Sequence, residues 1–346
     1  MDYKTHLKSI RKEGEQIVNS LNDLPTFTLR KSKKIKTETL LNLFPNLKPT
    51  NIIDDTYFYL EKDELGKSVF HLAGYYYIQD LSAQMVVHNL NIQENDYVLD
   101  MCASPGGKTI QANNYASLII ANEINRTRAI TLKQNIERIG VKNVIVLNNN
   151  INDLLNKFTS FFDKVILDAP CSGEAMIRKS PEMRDDWSLE KIKRLNIIQK
   201  ELIIQAYQMV KDGGYISYST CSFELTENED IVQHLLDNTA CELINQKTYF
   251  PFEFSGEGQF IALIKVNKNN NFCPLKRKKV KRITETKIIF DWFLKYVNEP
   301  LNSLEYLDGY YYTGSNFNYE LDNLNVLSNG IEIGKIEKGI FFPSFA

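Results

Sequence analysis

Two cysteines stand in polar segments that directly follow apolar runs of the sequence. The run KVILDAP leads into Cys171, and the run GGYISYSTC ends at Cys221. A thiol serves as a nucleophile when a reaction needs temporary covalent attachment, and a carboxylate such as Asp168 can hydrogen-bond an activated ring. Because both runs predict strands of one parallel sheet, we expect the two thiols to converge at its carboxyl edge, where open sheets bind ligands.

A glycine turn is the second feature that could do chemistry. The segment LDMCASPGGKT joins a predicted buried strand to a predicted helix through Pro105, Gly106 and Gly107. Glycines let the backbone approach a ligand closely, which indicates a dinucleotide or S-adenosyl-L-methionine site, with a tight structural turn as the alternative. The first glycine of both the GxGxxG and the P-loop motif is missing. Glu123 follows the next apolar run, where a carboxylate can accept hydrogen bonds from ribose hydroxyls.

Paired thiols beside a nucleoside site suit methylation of cytosine at carbon 5, a carbon that is not nucleophilic in the aromatic ring. Addition of a thiolate to carbon 6 places carbanion character on carbon 5, which can attack a sulfonium methyl group. Two thiols can divide attack and release between them. Methyltransferases of amino groups commonly carry Asn/Asp-Pro-Pro-aromatic after the fourth strand, whereas this sequence reads DAPCSG. We therefore expect an acceptor other than an exocyclic amine.

Four segments, GYYYIQDLSAQ, DMCASPGGK, DAPCSG and YSTCS, together resemble the Sun-domain RNA (cytosine-5)-methyltransferases. The final stretch LSNGIEIGKIEKGIFFPSFA resembles the extension of the bacterial small-subunit ribosomal RNA branch of that family. The resemblance implies a class I S-adenosyl-L-methionine-dependent methyltransferase that modifies a cytosine in RNA, with 16S ribosomal RNA as the expected substrate.

The resemblance also implies roles for particular residues. Cys221 would be the nucleophile and Cys171 would assist product release, while Lys108 and Asp168 would orient a flipped cytosine. The S-adenosyl-L-methionine site would comprise Cys102, Ala103, Ser104, Pro105, Gly106, Gly107, Lys108, Glu123, Arg128, Asn150 and Asp168. Bacterial relatives typically have Asp where Asn150 stands, and Asn can still hydrogen-bond. The family's Arg-Val-Asn segment reads Arg30, Lys31 and Ser32 here.

The surrounding pattern predicts an α/β fold that would position these residues. Five apolar runs, YVLDMCA, LIIANE, NVIVL, KVILDAP and GGYISYSTC, alternate with helical segments, which predicts a parallel sheet with helices on both faces. Residues 188 to 211 have helical apolar spacing that Gly213 and Gly214 would end. GQFIALIKV would add an antiparallel strand. We expect a small α+β RNA-binding domain at 1–80, a Rossmann-like methyltransferase core at 81–267, and a basic linker with a C-terminal extension at 268–346.

The flanking regions contain a predicted amphipathic helix over residues 3 to 22 and two basic clusters, which are the expected contacts for RNA phosphates. A solvated loop is the alternative for the first cluster. Its members are Arg30, Lys31, Lys33, Lys34 and Lys36, and those of the second are Lys276, Arg277, Lys278, Lys279, Lys281 and Arg282. The aromatic residues 75–77 could stack bases or pack in a core.

The composition of the chain excludes further classes of protein. The 346 residues include 41 Lys plus Arg and 43 Asp plus Glu, so a net charge of −2 gives no global attraction to nucleic acid or anionic membranes. The five cysteines are widely spaced without a CxxC pair, which argues against disulfides and structural zinc and fits a reducing cytoplasm. The first 16 residues lack an apolar core and no run of about 18 apolar residues occurs, so we expect neither secretion nor membrane spanning. We expect a cytoplasmic monomer without a metal.

Three alternatives stay open from the sequence. The first is the same chemistry on transfer RNA. The second is methylation of a protein or a small molecule, which would leave the paired thiols and the basic clusters without a purpose. The third is a non-catalytic RNA-binding or ribosome-assembly factor, which the intact DAPCSG and YSTCS segments disfavour.

Overall fold

The computed structural model describes residues 2–268, 275–276, 286–297, 301, 304–315, 317 and 319–344. A helical pair and a four-stranded antiparallel sheet of order β2-β3-β1-β4 come first. Their elements are α1 (Tyr3–Ile10), α2 (Gly14–Ser20), β1 (Phe27–Lys31), α3 (Thr37–Leu43), β2 (Lys48–Pro49), β3 (Thr56–Tyr59), α4 (Val69–Leu72) and β4 (Tyr76–Ile78).

The single helix predicted for residues 3 to 22 is wrong, because two helices occupy this segment. Arg11 takes an extended conformation after α1, and α2 begins at Gly14. The helices approach so closely that a Cβ atom on Gly14 would lie 2.3 Å from the carbonyl oxygen of Leu7. The apolar residues still share one core, in which Leu7 and Ile17 are fully buried.

The central part of the chain folds into alternating helices and strands. These elements are α5 (Leu81–His88), β5 (Tyr97–Asp100), α6 (Gly107–Ala112), β6 (Leu118–Asn122), α7 (Arg126–Ile139), β7 (Val144–Leu147), α8 (Ile151–Phe158), β8 (Phe162–Asp168), α9 (Leu189–Met209), β9 (Val210–Thr220), α10 (Glu229–Asn238), β10 (Cys241–Tyr249) and β11 (Gln259–Val266). The remaining elements are α11 (Thr286–Tyr296), β12 (Glu305–Leu307), β13 (Tyr310–Thr313), β14 (Val326–Asn329), β15 (Ile331–Glu337) and β16 (Ile340–Pro343).

The five predicted apolar runs form the parallel centre of an eight-stranded sheet. Its order is β10-β11-β9-β8-β5-β6-β7-β14, and the neighbours from β9 to β7 are parallel. One face packs against α8, α9 and α10, and the other packs against α5, α6 and α7. The predicted Rossmann-like α/β fold is confirmed. Strand β11 pairs antiparallel with β9, as its sequence position predicted.

The long helix α9 ends earlier than predicted. Val210 is already extended and begins β9, so the helix is not ended by Gly213 and Gly214, which lie inside that strand. Gly213 has a φ of +75°, a conformation that favours glycine. The glycines therefore shape the start of β9.

The C-terminal region contributes to two sheets. Strands β12, β13, β15 and β16 form an antiparallel sheet of their own, whereas β14 pairs with β7 at the edge of the central sheet. The sequence did not predict this addition, and the domain boundaries at 80/81 and 267/268 stay predictions. Residues 277–282 of the second basic cluster lie outside the described residues, as does Cys273. Across the described ranges, no helix is long and apolar enough to span a membrane.

The first basic cluster is divided between a strand and a solvated loop: Arg30 and Lys31 belong to β1, whereas Lys33, Lys34 and Lys36 lie in an exposed loop before α3. The guanidinium of Arg30 is buried and donates to the side-chain oxygen of Gln79 at 2.8 Å and to the carbonyl oxygen of Gly107 at 3.1 Å. Lys31 pairs with Asp55 at 3.3 Å. Burial removes Arg30 from any phosphate contact, while other members of the cluster, Lys33 among them, are exposed. Within residues 75–77, two tyrosines are buried, so packing prevails over stacking there.

Arg30→Ala is expected to lower the free energy of unfolding by about 2–4 kcal/mol, because it leaves buried acceptors on Gln79 and Gly107 without their donor. Urea denaturation measures this change. The matched control is Lys33→Ala at an exposed position of the same cluster, which should change stability by less than about 0.5 kcal/mol. Equal effects of the two substitutions would contradict the structural role of Arg30.

Candidate active site

The two thiols meet at the carboxyl edge of the central sheet. Strands β8 and β9 end side by side, with Asp168 opposite Ser219 in their register. Just beyond these ends, the Sγ atoms of Cys171 and Cys221 lie 3.3 Å apart, and both thiols are partly exposed. The hydrogen bond with Cys221, followed by burial, raises the pKa of the Cys171 thiol well above its usual value. The structure therefore brings the two cysteines together, and their contact favours the protonated form of Cys171.

A lysine and a carboxylate form an ion pair at the same edge. The Nζ atom of Lys108 lies 2.7 Å from Oδ2 of Asp168. The other carboxylate oxygen, Oδ1, accepts from the hydroxyl of Ser219 at 2.7 Å and from Nε2 of Gln259 at 3.0 Å. Burial is the largest influence on the pKa of Lys108 and lowers it, but the charge of Asp168 and the hydrogen bond to it outweigh burial and raise the pKa. Lys108 is therefore a cation, and Asp168 has a fixed orientation.

The glycine turn lies between the thiols and helix α7. Gly106 has a φ of +110° and caps α6, and a Cβ atom on Gly107 would lie 3.0 Å from the side chain of Gln79. Ser104 and Arg128 tie the turn to α7, since the Ser104 hydroxyl donates to the Arg128 carbonyl at 2.9 Å and the Arg128 guanidinium donates to the Ser104 carbonyl at 3.0 Å. The turn therefore needs glycine at 106 for its backbone conformation and glycine at 107 for close packing against Gln79.

Glu123 is buried at the end of β6, beside the turn. Its Oε1 accepts from the backbone N–H of Asn125 at 2.9 Å, and its Oε2 lies 3.4 Å from the Arg128 guanidinium. Asn150 is exposed after β7, and its side-chain oxygen caps α8 by accepting from the N–H of Asn152 at 3.0 Å. Arg128 and Glu123 are thus close together, whereas Asn150 has a structural role of its own.

Asp100 is a fully buried carboxylate at the end of β5 that sequence reasoning did not single out. Its Oδ2 accepts from the hydroxyl of Thr109 at 2.7 Å, whereas its Oδ1 has no hydrogen-bond partner among the described residues. Burial raises its pKa to about 7, and burial also raises the pKa of the neighbouring Cys102 thiol. An acceptor oxygen without a donor is costly to bury, so this position suits a ligand that donates a hydrogen bond.

Three further side chains contact the site and were not identified from the sequence. They are Gln259, which holds Asp168, and two fully buried carboxylates near the thiols, Glu174 and Glu227. A signal existed in each case: a polar residue opens the apolar strand QFIALIKV, and a glutamate follows three residues after Cys171 and six after Cys221. None of these signals is specific without the tertiary contacts.

The doubly wound parallel sheet, with a glycine turn after its first parallel strand and an acidic residue after the next, defines a Rossmann-like S-adenosyl-L-methionine-dependent methyltransferase. A sequence profile described as 16S rRNA methyltransferase RsmB/F matches residues 87–271, more than half of the chain. The chain belongs to this family. The resemblance to the Sun-domain methyltransferases is thereby confirmed.

Curated relatives and solved structures agree with this assignment. The ribosomal RNA small subunit methyltransferase F of Vibrio vulnificus strain YJ016 is 36% identical over 238 residues, which cover 61% of this chain and 50% of the relative. The protein of the same name from Aliivibrio fischeri strain MJ11 is 34% identical over 255 residues, which cover 65% of this chain and 53% of that relative. The chain therefore spans about half the length of these curated relatives.

Two solved structures from Pyrococcus horikoshii share the fold. A methyltransferase homolog protein matches with a TM-score of 0.64 and 26% identity, covering 74% of this chain and 91% of that one. NSun6 with SFG matches with a TM-score of 0.69 and 19% identity, and the match covers 78% of this chain and 98% of NSun6. At these identities the second likeness supports the fold alone.

The family and its neighbours imply S-adenosyl-L-methionine as the cofactor, which confirms the cofactor predicted from the sequence. The residues around the glycine turn fit such a group. The hydrogen-bond donors of S-adenosyl-L-methionine are two ribose hydroxyls, an adenine amino group and an ammonium group. The carboxylates of Asp100 and Glu123, which can accept such hydrogen bonds, border the turn. The oxygen of Asp100 that has no donor among the described residues is the clearest sign of this fit.

Asp100→Asn is expected to remove a pH dependence of stability. The pKa of Asp100 is about 7 in the folded chain against an ordinary value of 3.8, so the folded state keeps a proton that the unfolded state loses. The contribution of Asp100 to the free energy of unfolding is therefore fully present below pH 3.8. It is lost as the pH rises from 3.8 to about 7, by at most about 1.4 kcal/mol per pH unit.

Urea denaturation between pH 4.5 and 7 should therefore show Asp100→Asn gaining stability relative to the unsubstituted chain as pH rises, since the amide does not ionise. Asp153→Asn, at an exposed position in the first turn of α8, is the control and should keep a constant difference. A constant difference for Asp100→Asn would contradict the raised pKa.

Proposed function

We propose that this chain methylates carbon 5 of a cytosine in 16S ribosomal RNA, with S-adenosyl-L-methionine as methyl donor and a covalent bond between a cysteine and the base. The observation that carries the proposal is the pair of thiols 3.3 Å apart, beside the Lys108–Asp168 ion pair, in a fold of this family. A reaction that needs no covalent attachment to the base would require neither thiol.

In this proposal Cys221 is the nucleophile. With its thiol proton released to solvent, its sulfur forms a bond to carbon 6 of the base, and the electron pair of the carbon 5–carbon 6 double bond moves toward carbon 5 and the ring. Lys108 and Asp168 orient the base. Ser219 and Gln259 keep Asp168 in place through its second oxygen, so the carboxylate does not need to reorient when a base enters.

Cys171 is assigned to release. The hydrogen bond with Cys221 is the first cause of the raised Cys171 pKa, and that bond is lost once the Cys221 sulfur carries the base. Once carbon 5 carries the methyl group, Cys171 gives its thiol proton to solvent and, as a thiolate, takes the remaining proton from carbon 5. The carbon–hydrogen electron pair reforms the double bond, and Cys221 leaves carbon 6 as a thiolate.

The cofactor is assigned to the glycine turn from residue 102 to 108, with Glu123, Arg128, Asn150 and Asp168 around it. When bound, S-adenosyl-L-methionine supplies an electrophilic methyl group on a sulfonium. Glu123 is oriented by the Asn125 N–H and by Arg128, which leaves its carboxylate fixed for the ribose. Asn150 retains its amide for the adenine, while its oxygen caps α8.

RNA is the proposed partner, and support for the small-subunit RNA comes from the names of the curated relatives. The target base must leave its stack, because a thiol cannot reach the ring face of a stacked base. The exposed lysines of the first basic cluster and the second cluster at 276–282 are the proposed phosphate contacts. We expect a monomer that acts in the cytoplasm, and transfer RNA is the substrate to compare.

Glu123→Ala is expected to weaken S-adenosyl-L-methionine binding more than about tenfold, because it removes a fixed acceptor of the ribose hydroxyls. Isothermal titration calorimetry on the full chain measures the affinity. Glu94→Ala, at an exposed site before β5, should leave it unchanged. An unaltered affinity for Glu123→Ala would reject the ribose assignment.

Cys221→Ala is expected to abolish methylation and to form no covalent complex, while Cys171→Ala should still attack and then stall, leaving protein attached to RNA. A denaturing gel with 16S ribosomal RNA or transfer RNA detects the complex, and nucleoside analysis detects 5-methylcytosine. Cys241→Ala, on an edge strand, is the matched control and should turn over normally.

The stalled complex should disappear in the double variant, because no attacking thiol remains. A complex formed by Cys221→Ala alone would reverse the two roles. Methylation of transfer RNA but not of 16S ribosomal RNA would show that transfer RNA is the substrate.

A further inference from the structure

The loops that carry the two thiols are joined by hydrogen bonds that cross from one loop to the other. Glu227 lies six residues after Cys221, in the second loop, and its carboxylate is fully buried. It accepts from the backbone N–H of Ser172, in the first loop, at 3.0 and 3.2 Å, and from the Ser172 hydroxyl at 2.5 Å. The residue next to Cys171 is therefore held by the loop that follows Cys221.

The reverse contact is made by Glu174, which lies three residues after Cys171 and is fully buried. Its Oε2 accepts from the backbone N–H of Phe223, two residues after Cys221, at 3.0 Å. The backbone N–H of Ala175 also donates to the carbonyl oxygen of Cys221 at 3.0 Å. Each loop thus supplies a glutamate that holds the other loop.

Both glutamates are themselves held from outside. The Oε1 atom of Glu227 accepts from Nε2 of Gln199 on α9 at 3.0 Å. The Oε1 atom of Glu174 accepts from Nε1 of Trp187 at 2.8 Å, and the Trp187 ring packs against Tyr3 and His6 of α1. A buried carboxylate whose oxygens are all bonded has one orientation, so each glutamate is a rigid link.

The two glutamates and the backbone contact between Ala175 and Cys221 therefore bridge the thiol loops, with no covalent bond between the sulfurs. Buried carboxylates are costly to desolvate, and a fold that only needed packing at these positions could use apolar side chains. The N–H groups of Ser172 and Phe223, which the two glutamates hold, lie one and two residues after the cysteines. Their positions therefore determine where the two sulfur atoms lie. Small displacements of reacting groups have large effects on rate.

We propose that Glu174 and Glu227 are positioning residues that hold Cys171 and Cys221 at the separation at which one thiol can attack a base and the other can release it. The mechanistic part rests on the proposed function. The geometric part, the control of the sulfur separation, does not depend on any reaction.

Phenylarsine oxide tests the geometric part directly on the full chain. Two thiols lose their protons and bond one arsenic atom, and the arsenic-bound oxygen leaves as water, so the reaction needs both sulfurs within reach of the same atom. The unsubstituted chain should bind one equivalent that resists an excess of monothiol. Cys171→Ala should bind none in this resistant form.

Glu227→Gln and Glu174→Gln should bridge arsenic about tenfold or more slowly, because each amide disrupts a link between the loops. Asp230→Asn, an exposed carboxylate in the first turn of α10, is the control and should bridge at the original rate. Circular dichroism and S-adenosyl-L-methionine titration establish that each variant is folded. If Glu227→Gln fails to fold, Ser172→Ala, which removes one hydroxyl from the Glu227 contact, should slow bridging in its place. If Glu174→Gln fails to fold, Trp187→Phe, which removes the Nε1 donor to Glu174, should do the same.

Steady-state kinetics, together with single-turnover kinetics that follow the covalent complex, test the mechanistic part. The glutamine variants should lower kcat with little change in KM for S-adenosyl-L-methionine and should accumulate the covalent RNA complex, since release needs the second thiol in place. Unchanged arsenic bridging in folded variants would overturn the positioning role even if methylation proceeds. A chain that forms no 5-methylcytosine on any RNA would reject the proposed function, while the bridging rates would still decide the role of the two glutamates.

Discussion

The parallel register between β8 and β9 is the constraint on which the rest of the site depends. With Asp168 opposite Ser219, the two strands end at the same level, and the loops that follow them run over the same edge of the sheet. A slip of one residue would turn Ser219 to the other face, because side chains alternate along a strand. The contact from Ser219 to Asp168 would be lost, and with it the alignment that lets Cys171 meet Cys221.

Charges at this edge are paired rather than single. The partly exposed carboxylate of Asp168 receives donors from Lys108, Ser219 and Gln259, which compensate its negative charge. Asp100 is the exception, since one of its oxygens has no partner among the described residues and its pKa is raised. Perturbed and partly unsatisfied groups concentrate at functional sites, and here they border the glycine turn.

Segments outside the central sheet reach the site through specific contacts. Helix α1 shares a core with Phe223, two residues after Cys221, and Arg30 of the N-terminal sheet donates to Gly107 in the glycine turn. Strand β14 covers the edge of the sheet at β7, which would otherwise present unpaired backbone groups. The regions on either side of the family-matched residues 87–271 are therefore packed into the same structure as the thiols.

The sequence by itself determined most elements of the central sheet and the class of enzyme. The periodicity of apolar residues predicted five parallel strands, the antiparallel strand β11 and helix α9, because alternation and helical spacing are properties of short segments. The types and neighbours of Cys171, Cys221 and the glycine turn sufficed to indicate a methyltransferase and its family.

Only the tertiary structure decided how distant segments meet. The break between α1 and α2, the burial of Arg30, the addition of β14 and the roles of Glu174 and Glu227 all arise from contacts between residues far apart in the chain. A sequence alone does not distinguish a buried glutamate from an exposed one. Burial and hydrogen-bond partners depend on which surfaces pack together, and that depends on the whole fold rather than on any one segment.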